Sequence, residues 1–312
     1  MAASIVRRLA FGTGLLLAVS VLGFCLLRLM PGDFAEVLLM AQMDGEIPSA
    51  EALRTFEIQN NFDEPLPLQY LRWLGGVLTG DLGTSLITGD PVGREIMLRL
   101  GNSLLLAGAA LVLSLLIAIP IGFMSARYRG GIFDRLSAVV AVLGMSIPNF
   151  WYALLLALVF SLMLGWLPSS GYGSWQHAVL PTIVIGTSVC GVSARYIRSL
   201  LIDEIGRPYM RTAAMKGLRP ISALVRHAGP NALPAILTLA GLQFARIFDG
   251  VIIVETLFGW PGIGRLLVES LLNRDFPLIQ ACFLVIAAAY VLTNLLVDLA
   301  ISAVDPRVGE VV

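Results

Sequence analysis

The fold of this chain is decided by long stretches without charge, of which the clearest is Leu104–Met124, LLLAGAALVLSLLIAIPIGFM. A helix that crosses the hydrocarbon core of a bilayer needs about 20 mostly apolar residues, and this stretch is long enough. Leu278–Val297 is equally uncharged. Hydrophobic residues make up 57% of the 312-residue chain and charged residues 13%, far from the balance of a soluble domain. The sequence therefore predicts an all-α polytopic membrane protein.

Four further stretches are mostly apolar, which predicts six transmembrane helices in a single transmembrane domain over residues 1–312. Pro148 lies inside the third stretch, where we expect one long, tilted helix, because neighbouring helices can satisfy the backbone groups that a proline frees. The first stretch is interpreted as a retained helix, since it is longer than the apolar part of a signal peptide and lacks a small-residue cleavage site. The six predicted spans are Leu9–Met30, Leu104–Met124, Leu136–Leu164, Ala178–Ala194, Ala232–Val254 and Leu278–Val297.

The distribution of charge predicts the orientation, because arginine and lysine favour the cytoplasmic side. With the N-terminus inside, most basic residues fall on cytoplasmic segments, whereas residues 31–101 hold many of the acids. We therefore expect both termini in the cytoplasm and extracytoplasmic loops at 31–101 and 258–277. Leu66–Leu78 has apolar residues at helical spacing and predicts an amphipathic helix. The first loop is either a solvated cap or a docking surface for an external partner.

Residues 206–234, GRPYMRTAAMKGLRPISALVRHAGPNALP, form a basic loop between the fourth and fifth spans. It holds the only lysine of the chain, Lys216, and no acid. Pro208 suits the first position of a helix and Gly217 its end, which predicts a short helix that needs packing to be stable. Composition alone leaves two interpretations open, a solvated connector and a surface for a cytoplasmic partner.

The side chains of this short helix are predicted to divide between two faces. Helical spacing places Tyr209, Ala213 and Lys216 near one face and turns Met210 and Ala214 away from it.

The basic loop resembles the cytoplasmic coupling loop of ABC-importer permeases of the dipeptide, oligopeptide and nickel family, the binding-protein-dependent transport system inner membrane components. The resemblance extends in order along essentially the whole chain. Pro208 is a departure, because the family usually has an acidic residue there. The motifs that carry the resemblance are YMRTAAMKGL from Tyr209, RHA from Arg226, NALP from Asn231, LRLMPGD from Leu27, DEPLPLQY from Asp63, SIPNFW from Ser146, GWLP from Gly165, VETLFGWPGIGR from Val254, RDFPLIQ from Arg274, NLLVD from Asn294 and DPR from Asp305.

This resemblance implies a permease subunit of an ATP-driven importer for peptides or for nickel and other metal chelates, forming half of the translocation path. It implies a homologous second permease, giving a heterodimer, two cytoplasmic ATPase subunits and an extracytoplasmic substrate-binding protein. The chain is then a transport subunit and no enzyme. It has no G-x-x-x-x-G-K-[ST] phosphate loop, so ATP and magnesium belong to the partners and no cofactor is expected here. Contact with the ATPase is expected through the helix of residues 206–220, at Tyr209, Arg211, Ala213, Lys216 and Gly217.

Polar residues inside the spans are candidates for the lining of the path. Arg246 and Asp249 fall on one face of the fifth span, and ionisable groups in a membrane usually face a bundle interior or a wet cavity. They are either a mutually neutralising structural pair or a lining that meets a zwitterionic or chelated substrate. Glu255, near the end of this span, is expected at the membrane interface. Weaker lining candidates are Gln243, Ser146 and Asn149.

Two alternatives to an importer permease are an ATP-independent secondary transporter and a six-helix membrane receptor or scaffold. A secondary transporter typically has inverted repeats with matching broken helices, and no repeat is visible. His177 and His227 fall on opposite sides of the predicted membrane, so no paired-histidine metal site is expected. Neither histidine lies near the middle of a span, so a nucleophile within the membrane would lack a histidine base, and no catalytic site is expected.

Overall fold

The computed structural model describes residues 2–28, 34–43 and 46–304. These residues form helices and turns without a β-strand, apart from one isolated bridge between Thr84 and Pro91. π-Helical turns continue α7 over Ala157–Met163 and join α10 to α11 over Leu224–Ala228. The helices are α1 (Ala2–Arg28), α2 (Phe34–Gln42), α3 (Ala50–Gln59), α4 (Leu66–Thr79), α5 (Val92–Arg127), α6 (Ile132–Ser146), α7 (Asn149–Leu156), α8 (Trp175–Ile205), α9 (Pro208–Met215), α10 (Pro220–Ala223), α11 (Gly229–Leu257), α12 (Ile263–Asn273) and α13 (Phe276–Val304).

The predicted all-α membrane fold is confirmed. The described residues contain five candidate spans, or six if the pair α6 and α7 counts as one. In this pair, the axis of α6 makes a bend of 99° with that of α7 and its π-helical continuation. Five unbroken helical stretches in the described part of the chain are long and apolar enough to cross a membrane: Arg7–Arg28, Val92–Arg127, Trp175–Ile205, Pro220–Phe248 and Phe276–Val297.

The third predicted span is the one that differs from expectation, because Pro148 breaks it. Proline has no N–H for the carbonyl four residues earlier, and its ring disfavours helical geometry at the preceding residue. Ile147 is accordingly extended, with φ −84° and ψ 123°. The expectation of one tilted helix over Leu136–Leu164 is therefore wrong, and two helices meet at this point.

The loops predicted outside the membrane contain helices of their own. The amphipathic helix expected at Leu66–Leu78 is confirmed as α4, which ends at Gly80 with φ +86°. Helices α2 and α3 lie in the same predicted loop, and α5 begins inside it at Val92. The second predicted loop, 258–277, contains α12.

The chain divides into two compact units, of which the first is built around Asn102–Pro261. Its centre is α8, which packs against α6 and α11. Small residues allow a close approach, since a Cβ on Gly191 of α8 would lie 3.0 Å from the Cα of Ala141 on α6. Close packing of this kind is a common source of helix association in membranes.

The second unit is built from Arg7–Gly101 and Gly262–Val291. The Arg28 guanidinium carbon lies 3.7 Å from the ring centroid of Phe34 and 4.8 Å from that of Phe62, which places a cation among aromatic rings. A buried hydroxyl, Ser85 Oγ, donates to Asp275 Oδ2 at 2.5 Å. These contacts attach the end of α1 to α2 and to the turn before α4, and the loop before α5 to the turn between α12 and α13.

Candidate coupling surface and translocation pathway

The short helix predicted in the basic loop is present as α9. Pro208 occupies its first turn, where the missing N–H costs nothing. At the other end Gly217 has φ +78°, a left-handed conformation that glycine adopts without strain. The N–H groups of Gly217 and Leu218 donate to the carbonyls of Ala214 and Ala213 at 3.0 and 3.2 Å. This is the Schellman pattern, which satisfies carbonyls that the end of a helix leaves open.

The structure corrects the predicted division of α9 into faces. Met210 and Ala213 are both buried, with exposed fractions of 9% and 6%, and belong to the same apolar core. Met215 is 83% exposed, and Arg211, Ala214 and Lys216 are also exposed. Tyr209 is partly buried against this core, so Ala213 shares its inner face with Met210 and Lys216 lies outside it.

Glu204, at the end of α8, attaches α9 to the rest of this unit. One of its carboxylate oxygens accepts a hydrogen bond from the Tyr209 hydroxyl, and the other lies 3.1 Å from Nε of Arg207. Burial raises the pKa of the Tyr209 phenol, and the bond to the Glu204 carboxylate raises it further. Sequence reasoning missed Glu204, although an acid five residues before the tyrosine of a basic loop was a usable signal.

The five predicted ATPase-coupling residues therefore have different surroundings. Arg211 and Lys216 are exposed and able to meet a partner directly. Tyr209 is engaged by Glu204, Ala213 faces the core of this unit, and Gly217 shapes the exit of the helix. Direct contact with an ATPase remains a prediction for all five.

A cavity of about 460 Å³ lies at the break between α6 and α7, bordered also by α5 and α8. Asn149, a predicted lining residue, contributes to its wall together with Tyr152, Thr187 and Ser188. Neither acidic nor basic side chains line it among the residues described. Ser146, also predicted, is exposed, and its hydroxyl donates to the Val142 carbonyl at 2.9 Å. The cavity thus offers uncharged hydrogen-bonding groups within an apolar wall.

Of the three predicted lining residues of α11, Gln243 is buried and Arg246 is exposed. Gln243 is 2% exposed, and its Nε2 donates to Ser193 Oγ on α8 at 3.0 Å, so its amide joins two helices. Arg246 is exposed. The side chain of Asp249 lies outside the described part of the structure, so the suggested pairing of Arg246 with Asp249 stays a prediction.

Two buried acids form contacts that the sequence did not reveal. Asp134 of α6 accepts from Nε and Nη2 of Arg198 on α8 at 2.5 and 2.7 Å, and from the N–H of Gly130. Glu255 is fully buried and accepts from Ser103 Oγ at 2.6 Å. Glu255 is thus enclosed by protein, and its position at the depth of the membrane interface stays a prediction. A carboxylate of this kind is buried where a partner satisfies its charge or its hydrogen bonds.

No group of three or more His, Cys, Asp or Glu side chains in the described ranges converges closely enough to hold a metal ion. A resident metal centre has no support from this part of the chain.

Comparison with known proteins places the chain in a family along almost its entire length. Residues 118–310 match the family described as "Binding-protein-dependent transport system inner membrane component". Residues 1–107 match its companion, "Binding-prot-dependent transport system membrane comp, N-term".

Two relatives illustrate the similarity. The glutathione transport system permease protein GsiC of Pectobacterium atrosepticum is 40% identical over 293 residues, which cover 94% of each chain. The oligopeptide transport system permease protein AppB of Bacillus subtilis is 36% identical over 319 residues, covering 99% of each.

The fold is also similar to a solved structure of the MetNI methionine ABC transporter in an inward-facing conformation. The TM-score is 0.59 at 15% identity, with 67% of this chain and 96% of that chain covered. The chain belongs to the family of binding-protein-dependent transport system inner membrane components, and it is a permease subunit of an ABC importer of the dipeptide and oligopeptide group.

Proposed function

We propose that the cargo of this permease is a small peptide, and that the chain forms one half of the path through which it crosses the membrane. The observation that carries this proposal is the similarity, over nearly the full length of both chains, to a permease named for glutathione. A second relative is named for oligopeptides. These names favour the peptide side of the predicted cargo, and none of them supports nickel.

The uncharged cavity beside the α6–α7 break is consistent with such a cargo. Peptide groups need hydrogen-bond donors and acceptors but carry no charge, and Asn149, Tyr152, Thr187 and Ser188 supply both kinds. The end of α6 and the start of α7 add backbone groups that lack partners within their own helices. The polar middle of a peptide is thereby accommodated without an ionisable group in the wall.

Energy for transport is supplied by two ATPase subunits, which bind ATP and magnesium on behalf of the assembly. A homologous second permease completes the path as a heterodimer, and an extracytoplasmic binding protein delivers the cargo. Support comes from α9, which is anchored within its own unit and exposes Arg211 and Lys216. A rigid, cationic helix suits the transmission of a push from a soluble subunit.

Both termini and α9 lie on the cytoplasmic side. The support is the concentration of arginines in the segments that this orientation places inside. The alternative of a secondary transporter, and that of a receptor or scaffold, lack comparable support because the family is one of importer subunits.

Uptake into proteoliposomes tests the proposal. The importer is reconstituted with its second permease, ATPases and binding protein, and offered radiolabelled glutathione, radiolabelled trialanine or a nickel–histidine chelate. We expect accumulation of at least one peptide, dependent on hydrolysable ATP and on the binding protein, and none of the chelate. Accumulation of the chelate alone would overturn the peptide cargo. Uptake supported by a non-hydrolysable ATP analogue would instead overturn the role of the ATPases.

A further inference from the structure

A second concave surface, a hollow of about 570 Å³, lies beside the uncharged cavity at the α6–α7 break. Its wall is formed by residues of α6 and α8, and Met145 of α6 contributes to both surfaces. We call it the arginine hollow, because Arg135, Arg195 and Arg198 line it. The two surfaces therefore adjoin each other on the same pair of helices.

The arginine hollow carries an excess of positive charge. Asp134 is the one acidic residue in its wall among the described residues. Its carboxylate already accepts two hydrogen bonds from Arg198 and one from the N–H of Gly130. Arg135 and Arg195 are exposed and form no ion pair within the described ranges. Two guanidinium groups of the hollow are thus left for an anion from outside the chain.

The rest of the wall suits an organic anion. Tyr196 and Ser199 add hydroxyl donors, whereas Met145 and Val192 add apolar surface. A guanidinium group presents a planar fork of N–H donors that matches the two oxygens of a carboxylate. Apolar contacts add nothing to the recognition of a bare inorganic ion, but they favour the carbon skeleton that carries a carboxylate. The hollow therefore fits a carboxylate on an organic molecule.

The spacing of the two surfaces along α8 matches the length of a short peptide. Ser188 lines the uncharged cavity and Arg195 lines the arginine hollow. They are seven residues apart on one helix, which corresponds to a rise of roughly 10 Å. An extended tripeptide also measures about 10 Å. A peptide that extends from Ser188 to Arg195 thus places its amides against the first surface and an end group against the second.

The charge of the arginine hollow selects which end of the peptide it receives. An α-carboxyl group has an ordinary pKa of about 3.3–3.7 and an α-amino group one of about 7.7–8.0, so at neutral pH the first is negative and the second mostly positive. The unpaired guanidinium groups attract the carboxylate and repel the ammonium group. The peptide is therefore oriented with its C-terminal carboxylate toward Arg135 and Arg195.

We propose that the arginine hollow binds the C-terminal carboxylate of the transported peptide, with Arg135 and Arg195 as the donors. This inference rests on the proposed function, because it adds a recognised end group to a cargo whose amides meet the uncharged cavity. The substrate class is thereby narrowed to short peptides with a free C-terminal carboxylate. Arg198 has a different task, since its bonds to Asp134 hold α6 and α8 together in the wall of the hollow.

Uptake of peptides and of their amides tests this proposal. The importer is reconstituted into proteoliposomes with its second permease, ATPases and binding protein. It is offered radiolabelled trialanine and glutathione, each also as the C-terminal amide. The measured quantity is the ratio of the initial uptake rate of the acid to that of its amide, and the same binding protein serves every variant. The double variant Arg135→Gln, Arg195→Gln should lower this ratio by roughly tenfold or more, because it removes hydrogen bonds to a charged group.

Two further variants separate the hollow from general basicity. Arg135→Lys, Arg195→Lys keeps both charges and should lower the ratio less than the glutamine variant does. Arg226→Gln removes an exposed cation that lines neither surface and should leave the ratio unchanged.

The other possible outcomes overturn the proposal in distinguishable ways. An unchanged ratio in the glutamine variant would mean that the hollow does not recognise the carboxylate. An equal loss of uptake for acid and amide would mean that the two arginines meet an acidic surface of a partner subunit. In both cases the wild-type importer still accumulates peptide and the proposed function stands. A wild-type importer that accumulates none of the peptides would overturn the proposed function and this inference together.

Discussion

At the scale of single residues, Glu204 carries the contacts that attach α9 to α8. Its carboxylate meets both Tyr209 and Arg207, so a movement of α9 reaches α8 through a short and partly buried connection. We infer that Glu204 is a positioning residue for the coupling helix, because it acts through Tyr209 and is only partly exposed.

We predict that Glu204→Ala lowers the number of cargo molecules transported per ATP hydrolysed by roughly tenfold or more, since it removes hydrogen bonds to a charged group worth about 1.5–3 kcal/mol each, and about 1.4 kcal/mol corresponds to a factor of ten. Glu204→Gln keeps an acceptor for the Tyr209 hydroxyl and should retain most of the coupling. Asp203→Ala is the matched control, because it removes an equal charge from the neighbouring exposed position. Equal losses in the Glu204→Ala and Asp203→Ala importers would contradict the positioning role.

The titration of Tyr209 offers an independent test of the same contact. Its folded-state pKa is raised above the ordinary value of about 10, so the neutral phenol stabilises the docked helix below that pH. This stabilisation is lost as the pH rises through the higher folded value. Difference absorbance spectra of the wild-type and Tyr209→Phe proteins should show a tyrosine that ionises above pH 10, and Glu204→Gln should move it down. A Tyr209 that ionises at the ordinary pH would argue against the contact.

At the scale of elements, the α6–α7 break shows how far the sequence determines the structure. The length of the apolar stretches was sufficient to locate the membrane-spanning helices, because the thickness of the bilayer sets the minimum length of such a helix. Pro148 was visible in the sequence, but a proline inside a membrane helix can either be accommodated or break the helix. The outcome depends on whether neighbouring helices satisfy the backbone groups that the proline frees, and the sequence does not show this. Pro120 illustrates the other outcome, since α5 continues through it. The contacts of Asp134 and Glu255 were unpredictable for a similar reason, because their side-chain partners, Arg198 and Ser103, lie on other segments of the chain.

We predict that Pro148→Ala partly straightens α6 and α7 and narrows the cavity between them, because it restores an N–H and removes a helix-breaking bias of about 3 kcal/mol. Cys190, which lines this cavity, reports the change. In a variant whose other cysteines, Cys25 and Cys282, are replaced by serine, modification of Cys190 by methyl methanethiosulfonate should become several-fold slower.

Pro120→Ala in the same single-cysteine protein is the matched control for this prediction. Its proline lies within an unbroken helix, and its removal should leave the rate of Cys190 modification nearly unchanged. A rate that is equally slow in both variants would mean that the bend at Pro148 does not shape the cavity.

At the scale of the whole molecule, we expect the contact through which ATP hydrolysis drives transport to be confined to a small part of the chain. The exposed cations of α9 are the expected point of contact with the ATPase, whereas the uncharged cavity is the expected contact with the middle of the cargo. The two expected contacts are thus chemically distinct, because the ATPase would meet cationic side chains and the middle of the cargo would meet an uncharged cavity. A defect at the first should abolish the response of the ATPase to cargo while leaving the permease in the membrane.

We predict this separation for Lys216→Glu and for Gly217→Pro. Lys216 is exposed and is the only lysine of the chain, and reversing its charge should oppose contact with an ATPase surface that is complementary to this cation. Gly217 has φ +78°, which proline cannot adopt. Both variants should reach the membrane in normal amounts and lose cargo-stimulated ATP hydrolysis by at least about tenfold, because Lys216→Glu brings like charges together at the interface and Gly217→Pro distorts the end of the helix. Lys216→Arg keeps the charge and should keep the stimulation. Unchanged stimulation in Lys216→Glu, measured in the reconstituted importer with its binding protein and cargo, would remove α9 as the point where ATP hydrolysis is coupled to transport.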